Sequence, residues 1–176
     1  MTLVDGDLEK VVPPTGGPVT MTKLPGAAVR VEHMEGGDLL LLGPRAAGER
    51  VLVTDGALAV HGEVAFAHRY NDGRLRLAVL KGSPAALAGG WTLAGTAPTS
   101  LEIFGQVARG ETSGPAHEVM IGLPQNWVQV NVTLDGEPAP AARNEQELRL
   151  KVPAGNHAFL LQCKLQGAGG GRKVWG

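Results

Sequence analysis

The chain has 176 residues, 43% of them apolar and 19% charged, with a formal net charge of −1. That is the size of one domain with enough apolar residues to bury a core, which excludes a disordered chain. The near-zero charge excludes a global field drawing the chain to nucleic acid or anionic lipid, so neither is expected as a partner.

The 26 glycines and 12 prolines are scattered between apolar runs, the pattern of short strands joined by turns. Cys163 is the sole cysteine, so an intrachain disulfide and a cysteine-based zinc site are both excluded. "MTLVDGDLEK" lacks the basic-then-apolar pattern of a signal peptide, and the longest aliphatic run, 39–42, is too short to span a bilayer. The expected location is cytoplasmic as written, or extracellular or periplasmic if the chain is a fragment of a secreted enzyme.

Residues 1–26, with "VVPPTGGPVT", read as an extended lead-in or edge segment, because proline cannot donate to a central ladder. Strand-like runs then follow closely: 27–34, 38–43, 50–56, 57–70, 74–82, 90–96, 100–108, 117–123, 127–136, 147–152 and 157–165. The one helical competitor, "PAARNEQELRL" at 140–150, is rich in helix formers, but its second half reads as strand. The tail 167–176 is glycine-rich and reads as flexible unless Trp175 docks. Strands this dense leave no room for crossover helices. They predict an all-β fold, an antiparallel β-sandwich of about 10–12 short strands with little helix, filling 27–166 as one domain.

The stretch "HRYNDGRLRLAVLKG", 68–82, is a hairpin with two possible registers. A two-residue Asp72-Gly73 loop suits a type I′ turn and faces Tyr70 with Leu75, His68 with Leu77 and Phe66 with Val79. It puts Phe66, His68 and Tyr70 toward the core and leaves Arg69, Arg74 and Arg76 as a basic outer face, with Arg69 opposite Arg76. A three-residue loop slips the pairing by one and mixes Arg74 and Arg76 with Phe66 and Tyr70. Because register keeps apolar side chains together, the two-residue loop is the expected one.

Arg69, Arg74 and Arg76 are therefore candidate binding residues for an anionic ligand, against the reading of a solvated surface. Trp91 and Trp127 each follow a turn and are candidates to stack on a sugar, against the reading of a plug in the sandwich end. His33, His61, His68, His117 and His157 are far apart in sequence and match no metal-ligand spacing, so no metal, cofactor or catalytic residue is expected. No phosphate-binding glycine loop and no nucleophile elbow occurs. "NVT" at 131–133 fits the glycosylation triplet but falls in a strand.

Two stretches together carry a family likeness. "GERVLVTDGALAVHGEVAFAHRYNDGRLRLAVLKG" (48–82) resembles the late β-domain of heparinase II/III-like and alginate-lyase-like polysaccharide lyases. "VQVNVTLDGEPAPAARNEQELRLKVPAGNHAFLL" (128–161) resembles the closing hairpins of such sandwiches. The resemblance covers about half the chain and implies an association with acidic or neutral polysaccharide. In that family most catalytic residues lie on a preceding helical toroid, and nothing in this chain matches it. Tyr70, His68, Arg69 and Asn71 are of the types a lyase uses, but the favoured register separates them.

The expected function is thus a non-catalytic module related to carbohydrate-active enzymes, binding acidic polysaccharide or serving a catalytic partner domain or chain. The alternatives are a lyase-like subunit that completes its cleft with a partner chain, and a structural or assembly protein.

Overall fold

The computed structural model describes residues 20–23, 28–42, 51–55, 58–62, 64–81, 85–144 and 146–164. The tail 167–176 with Trp175, and the lead-in before residue 20, lie outside the described residues. Within them every regular element is a strand. The first seven are β1 (Thr20–Lys23), β2 (Ala28–His33), β3 (Gly36–Leu42), β4 (Val51–Asp55), β5 (Leu58–Gly62), β6 (Val64–Tyr70) and β7 (Leu75–Lys81). Next come β8 (Ala85–Ala88), β9 (Trp91–Gly95), β10 (Thr99–Phe104), β11 (Val107–Gly114) and β12 (His117–Gly122). The last five are β13 (Gln129–Leu134), β14 (Glu137–Pro138), β15 (Ala141–Asn144), β16 (Glu147–Val152) and β17 (Gly155–Lys164).

They form two antiparallel sheets, as expected of the all-β sandwich, but with 17 strands among the described residues in place of the expected 10–12, because turns divide several of the runs. One has ten strands in the order β1-β2-β3-β6-β7-β10-β11-β17-β13-β14, the other seven in the order β15-β16-β12-β9-β8-β5-β4. Alternation explains the packing: Trp91, Leu93 and Gly95 of β9 and Leu148, Leu150 and Val152 of β16 are buried while their neighbours are not. Leu39, Leu41, Leu77, Val79, Leu101 and Leu161 meet this row from the larger sheet.

Three expectations are corrected in detail. The run 57–70 is two strands in different sheets, β5 and β6, because the chain crosses between layers there. The run 100–108 folds back as the β10–β11 hairpin, with Phe104 opposite Val107 across Gly105, whose φ is +59°. The helical competitor at 140–150 is strand in its second half, as expected, in β16, and its first half adds the unforeseen strand β15. β8, in the run "AALA", carries no strong strand signal and is recruited as the partner of β5 and β9.

The largest correction is the register of β6 with β7. Arg69 faces Leu75, His68 faces Arg76, Ala67 faces Leu77 and Ala65 faces Val79, with a bulge between Val64 and Ala65. The loop has three residues, Asn71-Asp72-Gly73, closed by Gly73 N–H donating to the Tyr70 carbonyl at 3.1 Å and Tyr70 N–H to the Arg74 carbonyl at 3.0 Å. Gly73 takes the left-handed conformation at φ 87°, the usual close of such a loop. The type I′ turn forms elsewhere, at Asp135-Gly136, where both φ values are positive and Leu134 pairs with Glu137.

Candidate functional site at the outer face of β2, β3 and β6

The slipped register decides what the outer face of the large sheet carries. Ala65 and Ala67 turn inward, opposite β5 and β8 of the second sheet, and their small side chains let the layers approach. Phe66, His68 and Tyr70 therefore turn outward together, contrary to the expected inward direction. They cover one another instead: the His68 ring stacks on Phe66 with centroids 6.2 Å apart and meets Tyr70 edge-on at 3.9 Å. His33, at the end of β2, stacks on His68 at 5.2 Å. This is how an outward-facing imidazole comes to be only 4% exposed.

Asp38 lies directly opposite His68 across β3 and β6. Its Oδ1 accepts a hydrogen bond from His68 Nδ1, and its Oδ2 stands 3.4 Å from His33 Nε2. Three adjacent strands thus bring an aspartate and two histidines to one place. His33 Nδ1 accepts from the Glu35 N–H at 3.2 Å, in the two-residue turn between β2 and β3. His68 Nε2 is buried and has no hydrogen-bond partner among the described residues.

Opposite Tyr70 and just before β7, Arg74 lays its guanidinium over the phenol ring, 4.2 Å from the centroid, and donates through Nε to Asp72 at 2.7 Å. Asp72 is held below the usual carboxylate range, first by the Arg74 backbone N–H it accepts. Arg76 belongs to the same outer face and lies opposite both His68 and Glu102, while Glu102 in turn faces Arg109. Opposite charges set directly across a sheet attract, so this row is stable without a ligand.

The five expected binding residues are thus dispersed. Arg74 and Arg76 share the outer face, but Arg69 points to the other side of the sheet near its end. The expected opposition of Arg69 and Arg76 does not occur. Trp91 and Trp127 are each 3% exposed and pack edge-to-face with centroids 4.5 Å apart, so neither offers a face to a sugar. They plug the sandwich, and Arg143 donates to the Trp127 carbonyl at 2.6 Å.

What the structure does gather is a groove around the end of β2, β3 and β6. It is lined by Arg30, His33, Asp38, Arg69, Tyr70 and Asn71, among others. Arg30 is paired with Glu32. Arg69 is exposed and makes no ion pair among the described residues. Asn71 is fixed by donating from its side chain to the Met34 carbonyl at 2.7 Å. Gly36 is needed here, because a Cβ on it would stand 2.0 Å from the Arg69 carbonyl oxygen and push β3 off β6.

His33 and Asp38 were not singled out from the sequence. The signal that locates them is pairing, since only the β2–β3 and β3–β6 registers bring residues 33, 38 and 68 together. No family model matches the chain, and no curated protein or solved structure matches it either.

Proposed function

We propose that this chain is a non-catalytic β-sandwich module of the kind that accompanies carbohydrate-active enzymes, and that it binds an acidic polysaccharide in the groove at the end of β2, β3 and β6. The observation that carries the reading is Arg69: an exposed guanidinium with no ion-pair partner among the described residues, in one groove with Tyr70 and Asn71. A guanidinium fork matches a uronate carboxylate in two parallel hydrogen bonds. Against catalysis stands the state of the nearest candidate base: His68 is buried, with Nδ1 committed to Asp38.

The test is calorimetric titration of the full chain with a uronic-acid oligosaccharide at about 0.05 and 0.2 M salt, where screening lengths fall toward 10 Å and below. Binding should weaken with salt and be lost in Arg69→Gln. Arg76→Gln should change nothing, because that residue lies on another part of the sheet. Absence of binding at low salt, or full binding by Arg69→Gln, defeats the reading.

One observation favours a second reading, the lyase-like subunit: His33, Tyr70 and Asn71 line one groove with Arg69 at its rim, although Arg69 leaves β6 on the opposite face from Tyr70. Such an enzyme releases an unsaturated uronate, whose ultraviolet absorbance should grow with time and vanish in Tyr70→Phe.

A further inference from the structure

We propose that His33, Asp38 and His68 form a binding site for one divalent transition-metal ion of the Zn2+ class. The site stands apart from the polysaccharide reading and needs no ligand other than the ion.

The first argument is geometric. One donor atom from each residue lies within 4.8 Å of the other two, on one face of three adjacent strands. Donors bound at about 2.0–2.1 Å to a tetrahedral or octahedral ion stand roughly 2.9–3.4 Å apart. The 3.4 Å between His33 Nε2 and Asp38 Oδ2 already meets that spacing. An ion entering between them would take the place of the His68 Nδ1–Asp38 Oδ1 hydrogen bond.

The second argument is an unexplained cost. His68 is 4% exposed, yet it occupies an outward position on the sheet where an apolar side chain would pack without penalty. Its Nε2 is buried and unpartnered among the described residues, and hydrogen bonding to Asp38 satisfies only the other nitrogen. A buried polar group left unpaired in a native protein calls for an explanation, and here it shows that His68 is held in place at a cost. A metal ion accounts for the convergence of two imidazoles on one carboxylate, which nothing else in the cluster rewards.

The donor set then selects the ion. Two imidazoles and a carboxylate suit Zn2+, Co2+ or Ni2+, whereas Ca2+ and Mg2+ prefer all-oxygen shells. Three protein donors leave at least one position for water. The His33 and Asp38 side chains are 23% and 18% exposed, so that position opens toward the groove.

Binding has a visible consequence at His33. The Glu35 N–H donates to His33 Nδ1, so in the metal-free protein the His33 proton sits on Nε2, facing Asp38. A metal ion needs the Nε2 lone pair, which moves the proton to Nδ1 and exchanges the 3.2 Å contact with Glu35 for solvent. One exposed hydrogen bond is a small loss beside metal ligation. The tautomer of His33 is therefore a marker that a metal-free Asp–His cluster would never show.

The experiment uses the full chain with ZnCl2 in equilibrium dialysis, CoCl2 in visible spectroscopy, and nitrogen-15 NMR of the imidazoles, with no oligosaccharide present. The expected result is one ion per chain and ligand-field absorbance with Co2+. His33 should pass from the Nε2–H to the Nδ1–H tautomer at saturation. His33→Ala and Asp38→Asn should each weaken binding by about 100-fold or more, the upper end of what loss of even a supporting partner costs. Both positions are part-exposed, so these variants keep the core intact, and a thermal melt without metal checks that. His117→Ala and His157→Ala should bind as wild type. No saturable binding, binding unchanged in His33→Ala and Asp38→Asn, or saturation with the His33 tautomer unmoved, each overturns the proposal.

Discussion

Asp135 stands at φ 53°, in the left-handed region that side chains other than glycine rarely enter. What holds it there is β17: its Oδ1 accepts the Ala158 N–H at 2.9 Å, and its Oδ2 accepts from His157 Nδ1 at 2.7 Å. The same contacts raise the His157 pKa above its ordinary value, chiefly through the hydrogen bond to Asp135, and lower that of Asp135, chiefly through the hydrogen bond from His157. A raised histidine contributes stability that is whole below the unfolded-state value and is lost as pH rises through the folded one. A lowered carboxyl contributes stability that is whole above its unfolded-state value and is lost as pH falls through the folded one. The melting-temperature difference between wild type and Asp135→Asn should therefore peak between roughly pH 4 and 6.5 and shrink on both sides. Asparagine tolerates the left-handed backbone, so the turn survives the substitution. A difference that stays flat with pH would show that the pair carries no charge linkage. Gly110 makes a second single-residue case, since a Cβ there would lie 2.0 Å from Phe159 Cζ and the buried ring fills the space the glycine leaves. Gly110→Ala should cost about 1–3 kcal/mol by overpacking, read from urea denaturation. Combining it with Phe159→Leu should give less than the sum of the two single losses.

At the scale of an element, the β6–β7 hairpin separates two arrangements of the same residues. With three residues in the loop, Ala67 is wholly buried and faces Leu77, while Phe66 is half-buried on the outer face. Ala67→Glu should then abolish folding or cost more than about 4 kcal/mol, because it buries an unpaired charge. Phe66→Ala should cost well under the 3–5 kcal/mol of a core phenylalanine. A tolerated glutamate at 67 together with a severe Phe66→Ala would restore the two-residue loop. The sequence made the hairpin legible and its register not, and the reason lies in particular residues. Asp-Gly is a strong signal for a type I′ turn, and it forms one at 135–136. At 72–73 the asparagine before it extends the loop, and Asp72 Oδ1 accepts the Arg74 N–H at 3.0 Å to close the wider turn. Matching apolar sides also misled, because a strand can bury alanines and present aromatics when the aromatics cover one another. Strands with strict alternation, such as β9 and β16, were readable to within a residue. The cluster of His33, Asp38 and His68 was not, since it exists only through pairings between strands 30 residues apart.

For the whole molecule, the order of strands decides how it unfolds. The larger sheet joins β7 to β10 and β11 to β17, so the two halves of the chain share one hydrogen-bonded layer. In the second sheet β12 lies between β9 and β16, which again ties early strands to late ones. Neither half can bury its apolar face alone, so unfolding should be one cooperative transition rather than two. Trp91 and Trp127 supply a built-in probe: Trp91 begins β9 and Trp127 precedes β13, and their rings meet only in the assembled core. Near-ultraviolet circular dichroism of this pair should melt with the same midpoint as the far-ultraviolet β signal. Trp127→Phe should remove most of the near-ultraviolet band without splitting the transition. The pairing of distant strands also makes folding slow, in the millisecond-to-second range of other β-sandwiches, because loop closure must precede most of the favourable contacts. Two separated melting midpoints, or refolding in microseconds, would mean that the halves are independent units and that the β7–β10 and β11–β17 pairings do not organise the molecule.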